Sequence, residues 1–401
     1  MNKELCVKCK GTRLLCGKTS CPLLTKYYAS LRITNTVKST ELSGASPPSV
    51  FIGHHGYPRV YAGPMITPYT EEAAGLDSPE KWINLPLEEI VSRRFSLVRT
   101  ETKTHIKPEG RIVGIMQETA LSRTAPDAEA KLKKKPALNI TGEGAAMSPS
   151  AKLEKVSISG VKTDHQIEKA YYDTDLKSKD AILQMYLNDV PVSRIHKILS
   201  VGGLGIGSKR KLVPTRWSIT ATDSMLSKQG MKNIRDYPYI TQTTAYTGNY
   251  YDNNWLIILF PEGCGFEMIE AWGSRSAWNP TASVVIESDR EDRKGLKGYP
   301  SIGGSYFAAR LAITERLQQM RRNAQILVLR HIGPGYTVPV GVWQIREAVR
   351  RIMQGRGTPI TDSKHMKQHI KENSLVSYPE WFNNSTTLKE RTIQHRITQY
   401  W

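Results

Sequence analysis

Apolar positions along the chain recur with two different periods, and the changes between them mark its elements. Spacing of three to four residues predicts helices over 87–95, 179–188 and 192–199, and a longer one over 305–322. The first of these carries acidic residues early and arginines late, as the helix dipole favours. Three apolar runs, "WLIILF" (255–260), "ASVVIES" (282–288) and "AQILVLRHI" (324–332), have the length and β-branching of buried strands. Strand, helix and strand in that order over 282–332 predict a crossover unit. "VPVGVWQIREAVRRIMQGRG" adds another helix, closed by Gly355.

The first half is less regular. Between Pro22 and Thr100 short strand-like runs alternate with turn residues, and "PPSVFIGHHGYPRVYAGPMITP" has the composition of a loop-rich surface. "APDAEAKLKKKPALNITGEGAAMSPSAKLEK", rich in Ala, Lys, Pro, Gly and Ser and without aromatics, reads as an exposed connector or insertion. Together these patterns predict an α/β or α+β protein with a mixed-sheet core and flanking helices. Its expected parts are a cysteine module (1–25), the N-terminal part of the core (26–124), a linker or insertion (125–160), an α/β core (161–355), a short-helical segment (356–390) and a flexible tail (391–401).

Charge narrows the function classes. The 401 residues include 56 Lys and Arg against 37 Asp and Glu, a net charge of +19, which favours a polyanionic partner. DNA is the first candidate, with RNA or a nucleotide as alternatives. No basic amphipathic helix with an aromatic face is evident, nor any apolar stretch long enough to span a membrane. The first residues lack an apolar signal core, so the expected location is cytoplasmic and nucleoid-associated.

Four of the five cysteines, Cys6, Cys9, Cys16 and Cys21, follow the spacing C-x2-C-x6-C-x4-C. Two thiolates separated by two residues can grip one side of a tetrahedral zinc ion, and a second pair can close the site. Lys8, Lys10, Arg13 and Lys18 lie between them, where cations offset the charge of a four-thiolate centre. A structural Zn2+ is the expected cofactor; an iron–sulfur cluster would use the same ligands, and disulfides are disfavoured in a reducing cytosol.

The segment "SKRKLVPTRWSITATD" concentrates Lys209, Arg210, Lys211, Arg216, Trp217, Ser218, Thr220 and Asp223 behind Gly202, Gly203, Gly205 and Gly207. Cations and hydroxyls can hold phosphate while an indole stacks on a base, so these eight residues are candidate nucleotide or nucleic-acid ligands. The ordinary alternative is a glycine-rich turn followed by an edge strand, with Trp217 and Ile219 inward, Ser218 and Thr220 outward, and Asp223 capping a later helix. Elsewhere, His54 and His55 are candidates for metal or acid–base work. Glu262, Glu267, Glu270, Asp289, Glu291 and Asp292 are candidate carboxylates for a nuclease-type metal site.

The chain closes on "QHRITQYW". Gln394, Ile397, Tyr400 and Trp401 have the spacing of a ligand whose apolar side chains share one face of a helical turn, suited to a pocket on another protein. The pattern looks like the motif by which repair factors dock on the sliding clamp PCNA. With the four-cysteine N-terminus and the "RKLVPTRWSITATDS" segment, it makes the sequence resemble the archaeal Nre family of DNA repair proteins over its whole length. That resemblance implies a role in the response to DNA damage, PCNA as a partner and a zinc-finger-like N-terminus. It implies no particular catalytic activity, so a binding factor stands beside an alternative: a nuclease or nucleotide-transfer enzyme with its site in 210–223.

Overall fold

The structure, a computed structural model, describes residues 3–138 and 147–393. They divide into two compact units, one formed by Pro22–Leu226 and the other by the residues up to Cys21 together with those from Ser227 onward.

The Pro22–Leu226 unit is built on six strands: β1 (Glu41–Ala45), β2 (Val50–Ile52), β3 (Arg59–Ile66), β4 (Val98–His105), β5 (Asp127–Leu132) and β6 (Ser150–Ser159). Their order is β1-β5-β6-β4-β3-β2, antiparallel except where β4 meets β6. Two of these strands lie in the stretch expected as an exposed connector. In "DAEAKL" Asp, Glu and Lys face solvent while Ala128, Ala130 and Leu132 are buried, a two-residue period that small side chains and a high lysine content conceal from a composition reading. These residues join Leu42, Ile66, Val98, Leu153 and Val156 in a core covered by Ile33 and Val37 from the first part of the unit and Ile115 from the helix Arg111–Leu121. The helices Leu87–Phe95, Ser178–Leu187 and Val192–Ser200 form where the periodicity placed them.

The second unit contains β7 (Thr243–Tyr250), β8 (Asn253–Phe260), β9 (Gly265–Trp272), β10 (Val285–Glu291), β11 (Gln325–Ile332) and β12 (Thr358–Ile360), in the order β10-β9-β11-β8-β7-β12. Only β9 and β11 run parallel; the other pairs are antiparallel. The crossover therefore joins β9 to β11, and β10 is a hairpin partner of β9 at the sheet edge. Only one of its seven residues is buried, so "ASVVIES" is an edge strand rather than the buried one its branching suggests.

β8, β9 and β11 are buried on both faces, at roughly 2 kcal/mol for each fully buried Leu, Ile or Val. Leu256, Ile258, Ile269, Leu327 and Leu329 face Met366, Ile370, Trp381 and Leu388 of the C-terminal helices. Alternate residues point the other way, toward the helix Gly304–Met320, where the Phe266 and Tyr306 rings meet edge to face at 4.8 Å. The sheet is thus sandwiched between helical layers, as the expected mixed α/β core requires.

The cysteine-bearing segment belongs to this same unit. Lys18 Nζ donates to the Arg275 and Ser276 carbonyls at 3.0 and 2.9 Å, and the Ser20 and Thr337 hydroxyls lie 3.2 Å apart. No helix among the described residues is long and apolar enough to cross a membrane.

Candidate nucleic-acid interface

The segment that follows the glycines does not form an edge strand. Thr215–Ile234 is one 20-residue helix. Its buried positions, Ser218, Thr222, Asp223, Leu226, Ser227 and Gly230, recur at helical spacing, but they are mostly small and polar, so a hydrophobic pattern does not reveal them. The side-chain directions of the strand reading are reversed: Trp217 is exposed and Ser218 buried. Asp223 lies inside the helix and caps nothing after it.

The eight candidate residues separate into two sets. Arg210 braces its own loop: Nε donates to the Gly205 carbonyl at 2.8 Å, a terminal nitrogen donates to the Asp173 carbonyl at 2.9 Å, and the guanidinium lies over Tyr171. Ser218 Oγ donates to the Thr215 carbonyl at 3.0 Å, Thr220 Oγ1 donates to that of Arg216 at 3.3 Å, and Asp223 is wholly buried. Lys209, Lys211, Arg216 and Trp217 are exposed, and among the described residues the three cationic groups have no hydrogen-bond or ion-pair partner.

The glycines serve the chain's own packing. A Cβ on Gly202, at φ 69°, would meet the Lys211 backbone at 3.0 Å, and one on Gly203 would meet Ile198.

One further segment of this unit joins the exposed set. The β2–β3 turn turns on Gly56 at φ 80° and presents His55, Tyr57 and Arg59, with His54 half-buried beside them. Two hydrogen bonds pin its flanks, Ile52 N–H to Thr215 Oγ1 at 2.9 Å and Ile106 N–H to the Pro58 carbonyl at 3.0 Å, and Ile106 is in turn tied to the basic segment by Leu212 N–H, which donates to the Ile106 carbonyl at 2.7 Å. The Tyr57 and Trp217 rings thereby lie 5.4 Å apart, tilted by 49°. His54 and His55 stack at 4.0 Å, and burial, His55 and the Arg216 charge together lower the His54 pKa, keeping that ring neutral near pH 7. Sequence reasoning marked the histidines and Trp217 separately and missed Tyr57, whose only signal is an aromatic ring inside a Gly- and Pro-rich turn.

The carboxylates offered as a nuclease centre point apart. Glu267 and Glu270 are three residues apart on β9 and so face opposite sides of the sheet. Glu270 pairs with Arg330 at 2.5 Å, Glu291 with Arg310 at 2.5 Å, and Glu267 accepts the backbone N–H groups of Thr386 and Thr387. Asp289 accepts from Ser301 and the Ile302 N–H.

Cys9 is buried, and Cys6, Cys16 and Cys21 are partly so. The Cys6 thiol pKa is raised by burial and then by Cys16, Cys21 and Cys9, which places the four within electrostatic range. The Cys9 pKa is lowered by the Leu15 N–H, against burial and with help from the Gly11, Arg13 and Leu14 N–H groups. Among the described residues no three Cys, His, Asp or Glu are gathered closely enough to hold a metal ion. Gln394, Ile397, Tyr400 and Trp401 lie outside the described residues.

Comparison with known proteins matches the chain to archaeal Nre along nearly its full length, the N-terminal family model over residues 15–279 and the C-terminal one over 291–400. The chain belongs to the archaeal Nre family. Relatives include a protein named DNA repair protein NreB from Archaeoglobus fulgidus, 35% identical over 97% of this chain and 98% of its own. A DNA repair protein NreA from the same organism is 34% identical over 88% and 89% of the two chains, and one from Haloferax volcanii 31% identical over 81% of each. The family resemblance read from the cysteines, the basic segment and the tail is confirmed. No solved structure matches the chain.

Proposed function

We propose that this chain is a DNA-damage response factor that contacts nucleic acid through the exposed face carrying Tyr57, Lys209, Lys211, Arg216 and Trp217. The observation that carries the reading is the meeting of two segments far apart in sequence, 53–59 and 209–217: their exposed Tyr57 and Trp217 rings lie 5.4 Å apart, and the second segment carries the exposed Lys209, Lys211 and Arg216. Relatives named as DNA repair proteins and the net charge of +19 support it. Proteins that hold nucleic acid without reading its sequence use this combination of backbone-seeking cations and ring platforms.

The tail, 394–401, docks on the PCNA sliding clamp, with Ile397, Tyr400 and Trp401 filling one apolar pocket. Docking would raise the concentration of the basic face at repair sites. Cys6, Cys9, Cys16 and Cys21 would hold a structural zinc ion once drawn together, and the backbone N–H groups that lower the Cys9 pKa favour the thiolate a zinc ligand must be.

Full-length protein is titrated with a labelled DNA oligonucleotide over a range of salt. Arg216→Ala with Lys211→Ala is expected to weaken binding and to flatten the slope of log affinity against log salt by about 1 to 2. Unchanged affinity and slope would reject the interface. Tyr400→Ala with Trp401→Ala is expected to abolish clamp binding in calorimetry while leaving DNA binding intact.

A further inference from the structure

We infer that the Tyr57–Trp217 pair receives an unpaired base, so that single-stranded nucleic acid is the preferred ligand of this face and intact duplex the weaker one. The inference rests on the nucleic-acid reading proposed above and names its substrate class. Tyr57 is 46% exposed and Trp217 45%, although each ring has the other at 5.4 Å. No base fits between rings already in contact, so a base stacks on the outer face of one ring with the other at its edge.

The pair is held in place before any ligand arrives. Trp217 is carried on the first turns of a regular helix, and Tyr57 on a turn whose flanks are fixed by the Thr215 hydroxyl and by Ile106. Little backbone freedom is left to lose on binding.

Charge chooses a polyanion and the rings choose its form. Residues 53–59 and 209–217 contain Arg59, Lys209, Arg210, Lys211 and Arg216 and no acidic residue; the exposed Glu109 of the neighbouring loop is the nearest carboxylate in sequence to Ile106. The cations meet phosphate on single strands and duplex alike. A base face is available only where pairing is broken, because in a duplex both faces of each base are already stacked. Rings standing out among cations gain nothing from a duplex backbone and gain a stacking contact from an unpaired base.

Fluorescence anisotropy of the full chain with a labelled oligothymidine, and with a duplex of the same length at the same ionic strength, tests this. The wild type is expected to bind the single strand more tightly. Trp217→Ala and Tyr57→Ala are each expected to weaken single-strand binding by roughly tenfold and leave duplex binding unchanged, while Trp217→Phe restores most of the loss. Arg216→Ala should weaken both ligands to the same extent. Equal losses on both ligands in the two aromatic variants, or no loss on either, would overturn the inference and leave the basic interface standing. Absence of binding to both ligands by the wild type would overturn the interface as well.

Discussion

Glu267 and Ser385 are 118 residues apart in sequence and 2.9 Å apart in the structure, and their contact fixes the start of the last described helix. The buried carboxylate also accepts the Thr386 and Thr387 N–H groups at 2.7 and 2.8 Å, so a side chain in mid-sheet satisfies donors that a helix start leaves unpaired. Leu388, fully buried, and the forked Arg290–Glu390 pair hold the same helix further along. Glu267→Ala is expected to cost about 2 to 4 kcal/mol, since it strips one acceptor from several buried donors. Hydrogen exchange at residues 386–393 should accelerate well before the central strands respond; unchanged protection there would refute the cap.

Asp77 and Lys197 form a largely buried pair, Nζ to Oδ2 at 2.6 Å, with Nζ also donating to the Asp77 carbonyl. Burial pushes the Asp77 carboxyl up, but Lys197, the Ser49 hydroxyl and Arg94 outweigh it and hold the pKa at about 2. A folded pKa below the unfolded value of 3.8 means stability that is complete above pH 3.8 and is lost as pH falls toward 2, about 2 kcal/mol in all. Lys197→Met leaves the carboxylate buried without its cation. It is expected to destabilise by about 3 to 5 kcal/mol and to move the acid-unfolding midpoint upward, read by circular dichroism against pH.

Three histidines make a second, milder acid response. His54, His331 and His369 all have lowered pKa values, burial being the first cause in each; His331 is opposed by Asp252, and among the described residues its buried Nδ1 has no hydrogen-bond partner. The unfolded chain then binds protons that the folded one refuses, so stability is complete above about pH 6.5 and declines as pH falls through the window beneath it. Urea midpoints should be lower at about pH 5.5 than at about pH 7.5, and His331→Gln should narrow the gap. An equal gap in that variant would show that His331 does not contribute.

Cys9 tests the metal proposal. With its sulfur receiving several backbone N–H groups, Cys9→Ser should remove more of the site than Cys264→Ser, which changes a thiol far along the chain. Plasma mass spectrometry is expected to find about one zinc per chain in the wild type and in Cys264→Ser, and much less in Cys9→Ser. Equal zinc in all three would refute the four-cysteine ligand set.

The elements read most clearly from the sequence were those with a strong apolar period. The helix Val192–Ser200 and the strands β8 and β11 appear where their patterns place them, because burying those side chains leaves few other arrangements. β5 and the helix Thr215–Ile234 were missed for one reason: their buried faces are mostly Ala in the first and mostly Ser, Thr, Asp and Gly in the second, which carry little hydrophobic signal. Of the candidate site, the cations and Trp217 were visible as residue types, but not that Arg210 would turn inward to two carbonyls while Arg216 stayed exposed.

The sequence by itself determined a basic α/β chain of the Nre family, with four clustered cysteines and a tail that has the spacing of a docking motif, since composition and local spacing are written directly in the residue order. Only the tertiary structure decided that Tyr57 meets Trp217, that Glu267 and Glu270 face opposite ways, and that the cysteine segment joins the unit beginning at Ser227. Those outcomes depend on strand pairing, helix faces and hydrogen bonds between residues tens to hundreds of positions apart, and no local period encodes such distances.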